Sequence, residues 1–254
     1  MTNDQHQETI GHYGPRAPAY VASAVHASGP DLDQMEALLA GQGFGSVLDL
    51  GCGGGHVSYR AAPHVDEVVA CDVTPAMIAV VERTARERGL ANIRGVAAPA
   101  ESLPFRDGCF DAVLCRFTAH HWFDLRAGLA EARRVSKPGA LLVFIDTVAP
   151  TNRACDTHLQ VIEYLRDPSH VRNYSRAELA EALSDAGFVA ASVTPRPLHM
   201  NFAVWTQRTN TPADKVAMLI RLQSEAGARV RASLAIGPDG SFDLEAVTFT
   251  GVAR

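Results

Sequence analysis

The chain has 254 residues, 47% of them hydrophobic and 20% charged, with a net charge of −5. That length and apolar content suit one large domain with a full core, and they exclude intrinsic disorder, collagen-like repeats and low-complexity states. The acidic balance leaves no chain-wide footprint for nucleic acid: residues 196–254 hold seven Arg/Lys against five Asp/Glu, too small an excess to name a partner.

The five cysteines, Cys52, Cys71, Cys109, Cys115 and Cys155, are odd in number and form no CxxC pair. They read as free thiols in a reducing compartment rather than a disulfide framework or a zinc site. The opening MTNDQHQETI is polar, unlike a signal peptide, and the longest strongly apolar run, Ala140 to Ile145, is too short for a membrane span. A cytoplasmic protein is expected.

In chain order, residues 1–30 are mixed, with a short helix expected over 18–27. Asp31 to Ala40 reads as an amphipathic helix with Asp31 as its N-cap. Ser46–Leu50 is a short buried strand running into the glycine run Gly51–Gly55, and a helix starts over Val57–Ala62. Glu67–Asp72 is a second strand. Pro75–Arg88 is a helix, with Thr74 as N-cap, Pro75 at the first helical position and Gly89 as its stop. Ile93–Ala97 and Phe110–Cys115 are the third and fourth strands. A helix over Asp124–Val135 ends in a sharp Lys137-Pro138-Gly139 turn, and Ala140–Asp146 is the fifth strand.

Alternating strands and helices predict βαβ units and a doubly wound, mostly parallel α/β sheet, which binds ligands at the carboxyl ends of its strands. Those ends carry Asp49-Leu50-Gly51, Asp72, Arg116 and Asp146. Beyond 146, helices are expected over 155–167, Ser175–Ala186 (a capping box of Ser175 and Glu178) and Pro212–Ala226. Late strands are expected at Val189–Thr194, Asn201–Trp205 and Phe242–Thr250.

LDLGCGGGH, residues 48–56, lies between a strand and a helix. Glycine lets the backbone turn tightly and lets a ligand approach it. A dinucleotide GxGxxG pattern wants a glycine where His56 stands. Asp72 follows Gly51 by 21 residues, at a strand end where a carboxylate can accept from a ribose diol. A plain βα turn with Asp72 capping the next helix is the other reading of these residues.

On this motif the chain resembles the class I S-adenosylmethionine-dependent methyltransferases, over about residues 44–150 and more loosely 10–254. The resemblance implies their seven-stranded Rossmann-like fold as a single domain. It would divide into N-terminal lid helices (1–40), a cofactor core (44–150) and an acceptor side (151–254) with a helical insertion after strand five. It implies S-adenosylmethionine as cofactor and S-adenosylhomocysteine as product. Gly51 and Gly53, with Asp49 nearby, would hold the methionine part, and Asp72 the ribose, with Val73 beside it. Met77 would lie on adenine or else pack in its helix core. AESLPF, residues 100–105, resembles the segment after strand three; many members have Asp where Pro99 stands, so backbone atoms of Ala100 take that role, with Glu101 as neighbour. Arg116, at the end of strand four, joins the cofactor candidates.

His120 and His121 follow the fourth strand on the ligand face, and histidine titrates where a general base must. The pair resembles one in the quinone-biosynthesis and sugar O-methyltransferase branches, where a His and a strand-five Asp are base and support. That implies His121, or else His120, with Asp146. A pocket-lining role without chemistry is the alternative. The polar segment 166–175 resembles one in an uncharacterised bacterial subgroup of these enzymes; His170, Arg172, Asn173 and Tyr174 are acceptor-side candidates, as is Tyr20, unless the segment is only a surface loop. The expected function is methyl transfer to a small-molecule O, N or C acceptor, with no metal and no nucleic-acid partner. The oligomeric state stays open, a homodimer included. A non-catalytic cofactor-binding regulator is the second reading and an NAD(P)-dependent dehydrogenase the third.

Overall fold

The computed structural model describes residues 4–17 and 27–254. Tyr20 and most of the helix expected over 18–27 lie outside the described residues. In chain order the elements are α1 (Asp4–Tyr13), α2 (Pro30–Leu39), β1 (Ser46–Leu50), α3 (His56–Ala61), β2 (Glu67–Asp72), α4 (Pro75–Glu87), β3 (Ile93–Ala97) and β4 (Phe110–Arg116). There follow α5 (Leu125–Val135), β5 (Ser136–Val148), α6 (Arg153–Arg166), α7 (Arg176–Asp185), β6 (Phe188–Met200), α8 (Phe202–Arg208), α9 (Ala213–Glu225), α10 (Ala228–Ser233) and β7 (Phe242–Ala253).

The strands form one seven-stranded sheet in the order β3-β2-β1-β4-β5-β7-β6. The first five run parallel, with Leu48 opposite Val69 on one side and Val113 on the other. β7 inserts antiparallel between β5 and β6. A parallel strand covered on both faces must be apolar on both. Accordingly, Leu48, Val113, Leu142 and Phe144 pack with α5 and α7 on one face. Val47, Leu114, Val143 and Ile145 pack with Leu32, Met35 and Leu39 of α2 on the other. A third cluster, built from Leu159, Ile162, Phe202, Trp205, Leu219 and Phe242, joins the helices after β5 to the far end of β7.

Several local expectations are corrected. Gly29, not Asp31, precedes the first turn of α2, and Asp31 sits inside that turn with its carboxylate on Arg116. Thr74 does stand at the N-cap of α4, with extended backbone, but its side chain makes no capping hydrogen bond. Lys137-Pro138-Gly139 is a register shift inside β5, with Gly139 at φ +79°, rather than a turn ahead of it. Asn201–Trp205 is not a strand: Asn201 accepts from the Val204 amide and starts α8, while the preceding strand runs on to Met200.

Candidate active site

Two cavities open at the carboxyl ends of the strands, and they share Tyr13, Arg116, Phe117 and His121 in their walls. The first is shaped by the loop after β1. Gly51 and Cys52 both donate to the Cys71 carbonyl, at 2.8 and 2.9 Å, which folds the loop over the end of β2. Gly51 holds φ +73°, and a Cβ there would lie 2.1 Å from Thr118 Oγ1, so only glycine fits. Gly53, at φ +49°, faces open space.

Asp49 is 1% exposed and accepts from Ser58 Oγ at 2.6 Å. Burial pushes its carboxyl up to about 7, against the pull of the Ser58 hydrogen bond. Asp72 accepts from the Gly53 amide at 2.9 Å through Oδ2 and from the Thr74 amide at 2.8 Å through Oδ1. Burial raises its pKa as well, with those amides opposing. Two amides leave carboxylate lone pairs for a ribose diol. Val73, Met77, Ala100 and Glu101 line the same cavity. Met77 is 2% exposed and packs with Ala17 and Val80, so it serves helix packing and cavity wall together. Glu101 accepts from the Asp124 amide and sits 3.2 Å from His6 Nε2 of α1. These residues fit an adenosine-type cofactor: a glycine cradle, a diol-accepting carboxylate and an apolar wall.

The histidines divide differently from the expectation that put His121 first with Asp146. A 3₁₀ turn over Ala119–His121 sends the two rings to different partners. His120 Nδ1 lies 2.6 Å from Asp146 Oδ1, and the His120 amide donates to Asp146 Oδ2 at 3.3 Å. Asp146 is 2% exposed and also accepts from the Thr147 amide. Burial opposes charge on His120, but the Asp146 carboxylate outweighs it and raises the pKa. With Nδ1 donating to Asp146, Nε2 carries the lone pair.

His121 is held between Ser169 O, 3.1 Å from Nδ1, and Tyr13 Oη, 3.0 Å from Nε2. Burial and the neighbouring His120 push its pKa down to about 4. Tyr13 has one hydroxyl hydrogen, which it donates to Asp167 Oδ2 at 2.6 Å, so towards His121 its oxygen can only accept. Burial would raise the Asp167 pKa, but His121, His12, Ser169 and Tyr13 together hold it well below the carboxylate range.

The second cavity, of about 500 Å³, lies on the other side of the shared residues. Of the four candidates in 166–175, only Asn173 lines it. His170 lies behind His120, ring centroids 5.6 Å apart, and binds Gln160. Arg172 reaches Asp156 at the surface, and Tyr174 packs against the main core. The segment instead supports the histidines: the Val171 and Arg172 amides donate to the His120 carbonyl at 2.9 and 3.1 Å. Residues missed in the sequence include Phe117, Arg196 and Trp205. Phe117 holds φ +52°, a strained backbone for a bulky side chain, at the junction of the cavities.

A parallel sheet with a glycine loop after β1, an acidic β2 end and an antiparallel β7 defines a Rossmann-like methyltransferase fold. The family described as a methyltransferase domain matches residues 48–144. YcgJ of Bacillus subtilis, an uncharacterized methyltransferase, is 32% identical over 247 residues, 95% of this chain and 98% of its own. The YcgJ crystal structure superposes with a TM-score of 0.84, covering 88% of this chain and 98% of that one. The uncharacterized YafE of Escherichia coli is 37% identical over 193 residues, 76% of this chain and 93% of its own. A demethylmenaquinone methyltransferase of Thermus thermophilus is 39% identical over 111 residues, 42% of this chain and 50% of its own. The chain belongs to the S-adenosylmethionine-dependent methyltransferase family.

Proposed function

We propose that the chain transfers a methyl group to a small-molecule acceptor, with the cofactor in the glycine-loop cavity and the acceptor in the larger one. The observation that carries this reading is the meeting of the two cavities at Tyr13, Arg116, Phe117 and His121, with the His120–Asp146 pair on the acceptor side. When bound, S-adenosylmethionine supplies an electrophilic methyl group on a cationic sulfur. The protein holds the two reactants aligned for in-line displacement.

His120 is the base in this reading. Its Nε2 takes the proton of an acidic O–H, N–H or activated C–H as that atom attacks. Asp146 acts through His120 as a positioning residue, fixing the tautomer and stabilising the imidazolium. His121 suits the role less, because Tyr13 and Ser169 occupy both its nitrogens and its pKa is depressed. Removing a general base lowers turnover about 10²–10⁴-fold. His120 does not line the cofactor cavity, so His120→Gln leaves cofactor affinity unchanged.

The test is thermal unfolding with S-adenosylmethionine, S-adenosylhomocysteine and NAD in parallel, followed by product detection in cell extract. Ligand at about 100 times its Kd adds about 2.7 kcal/mol, roughly 5–10 °C at this size. A rise with the sulfur ligands alone, with S-adenosylhomocysteine released from extract, supports the reading. A rise with NAD overturns the cofactor, and binding without turnover overturns the catalytic role.

A further inference from the structure

Two residues in the wall of the larger cavity each hold a buried donor that no described residue satisfies. Among the described residues, Asn173 Nδ2 and Trp205 Nε1 have no hydrogen-bond partner, although these residues are 1% and 2% exposed. Both residues line the cavity. Asn173 already accepts from Thr147 Oγ1 at 2.7 Å through Oδ1, so its amide is anchored with Nδ2 left over. Trp205 is fixed by Phe242, centroids 5.1 Å apart, and by the Arg166 guanidinium over its ring. Neither group can turn away to find water elsewhere. Buried donors are almost always satisfied, so two at one cavity point to what fills it.

Charge agrees. Four arginines line the cavity, Arg116, Arg166, Arg196 and Arg208, against two carboxylates, Asp31 and Glu163. Both carboxylates are matched within the protein, Asp31 by Arg116 and Glu163 by Arg166. Arg196 donates to Gln34 Oε1 and Thr248 Oγ1, both neutral. A guanidinium set among neutral partners at a cavity wall is a fork for an oxyanion. Phe117, Leu198 and Met200 supply an apolar surface beside these groups.

Resting on the methyltransferase reading, we propose that the acceptor is a small organic acid. Its carboxylate meets Arg196, its apolar body lies on Phe117, Leu198 and Met200, and further oxygens accept from Asn173 and Trp205. A neutral acceptor of the same shape leaves the guanidinium fork unmatched and is rejected.

The experiment is calorimetric titration at neutral pH of the unmodified protein, with and without S-adenosylhomocysteine. The probes are 4-hydroxybenzoate and its neutral isostere 4-hydroxybenzamide. The acid is expected to bind about tenfold or more tightly than the amide. Arg196→Gln is expected to abolish that preference and Arg196→Lys to restore part of it. Trp205→Phe, which keeps a ring and loses the N–H, is expected to weaken the acid about fivefold or more. Equal affinities, no binding of either probe at millimolar concentration, or a preference that survives Arg196→Gln overturns the proposal. The two readings fail separately. Absent S-adenosylhomocysteine binding sinks the methyltransferase reading, while the acid–amide comparison on the cofactor-free protein still decides the anion site.

Discussion

Asp146→Asn isolates the buried pair beneath the acceptor cavity. The substitution keeps the shape and can keep the Thr147 amide bond, but it removes the charge that faces His120 Nδ1 at 2.6 Å. A hydrogen bond between charged partners at such a site is worth about 1.5–3 kcal/mol, or about 3–12 °C in Tm for a chain of this length. The pH dependence carries the discrimination. In the folded protein the His120 pKa is raised above its unfolded value of about 6.5, so the pair's contribution is fully present below that pH. It is lost as pH rises through the folded pKa. The Tm gap between the parent and Asp146→Asn is therefore widest near pH 6 and narrows towards pH 9. The Cε1–H resonance of His120, followed by NMR without any acceptor, titrates at lower pH in the variant. A Tm gap independent of pH, or a His120 resonance that titrates where it did before, refutes the reasoning.

The other expectations address different parts of the chain. Gly51→Ala drives a Cβ to 2.1 Å from Thr118 Oγ1 and strains a backbone at φ +73°, so calorimetry with S-adenosylhomocysteine should show affinity falling at least about tenfold. Asp49→Asn removes a buried carboxyl held up near 7; such a raised pKa disfavours the folded state increasingly as pH rises from about 4 to 7, so the cofactor-free variant should gain stability over the parent at pH 8 and none at pH 4 in urea melts. Tyr13→Phe loses the hydroxyl shared by Asp167 and His121 and should cost about 1–2 kcal/mol, with faster amide exchange in α1 as the local readout. Phe144→Ala empties a fully buried site between Trp122 and Phe249 and should cost about 3–5 kcal/mol.

Where periodicity and turn chemistry agree, the fold was legible. β1 to β4, the glycine loop and α4 fall within a residue or two of their expected limits, because apolar strands and a Pro75 start leave few alternatives. The last strands were harder to read. Pro195 and Pro197 break the pattern of β6, yet an edge strand tolerates residues without an N–H, so β6 continues to Met200. The short α8 was hidden because Phe202, Val204 and Trp205 resemble strand residues, and the signal against that was Asn201 as N-cap. In the site, chain order placed Asp146 and the histidines at neighbouring strand ends. The two rings take different partners although their centroids lie 4.3 Å apart, however, and spacing does not say which faces β5. The contact between Tyr13 and Asp167 joins residues 154 positions apart and has no local trace.

The shared wall between the cavities limits how this scaffold can diversify. A change at Tyr13, Arg116, Phe117 or His121 alters both cavities at once, because each of these residues lines both. The opposite wall, Arg196 to Met200 on an edge strand and Trp205 on a short helix, touches no part of the glycine-loop cavity. On the proposed function, substitutions there would reshape the acceptor cavity while the glycine-loop cavity stays intact. A library built on that strand samples chemistry; one built on the shared four mostly samples inactive proteins.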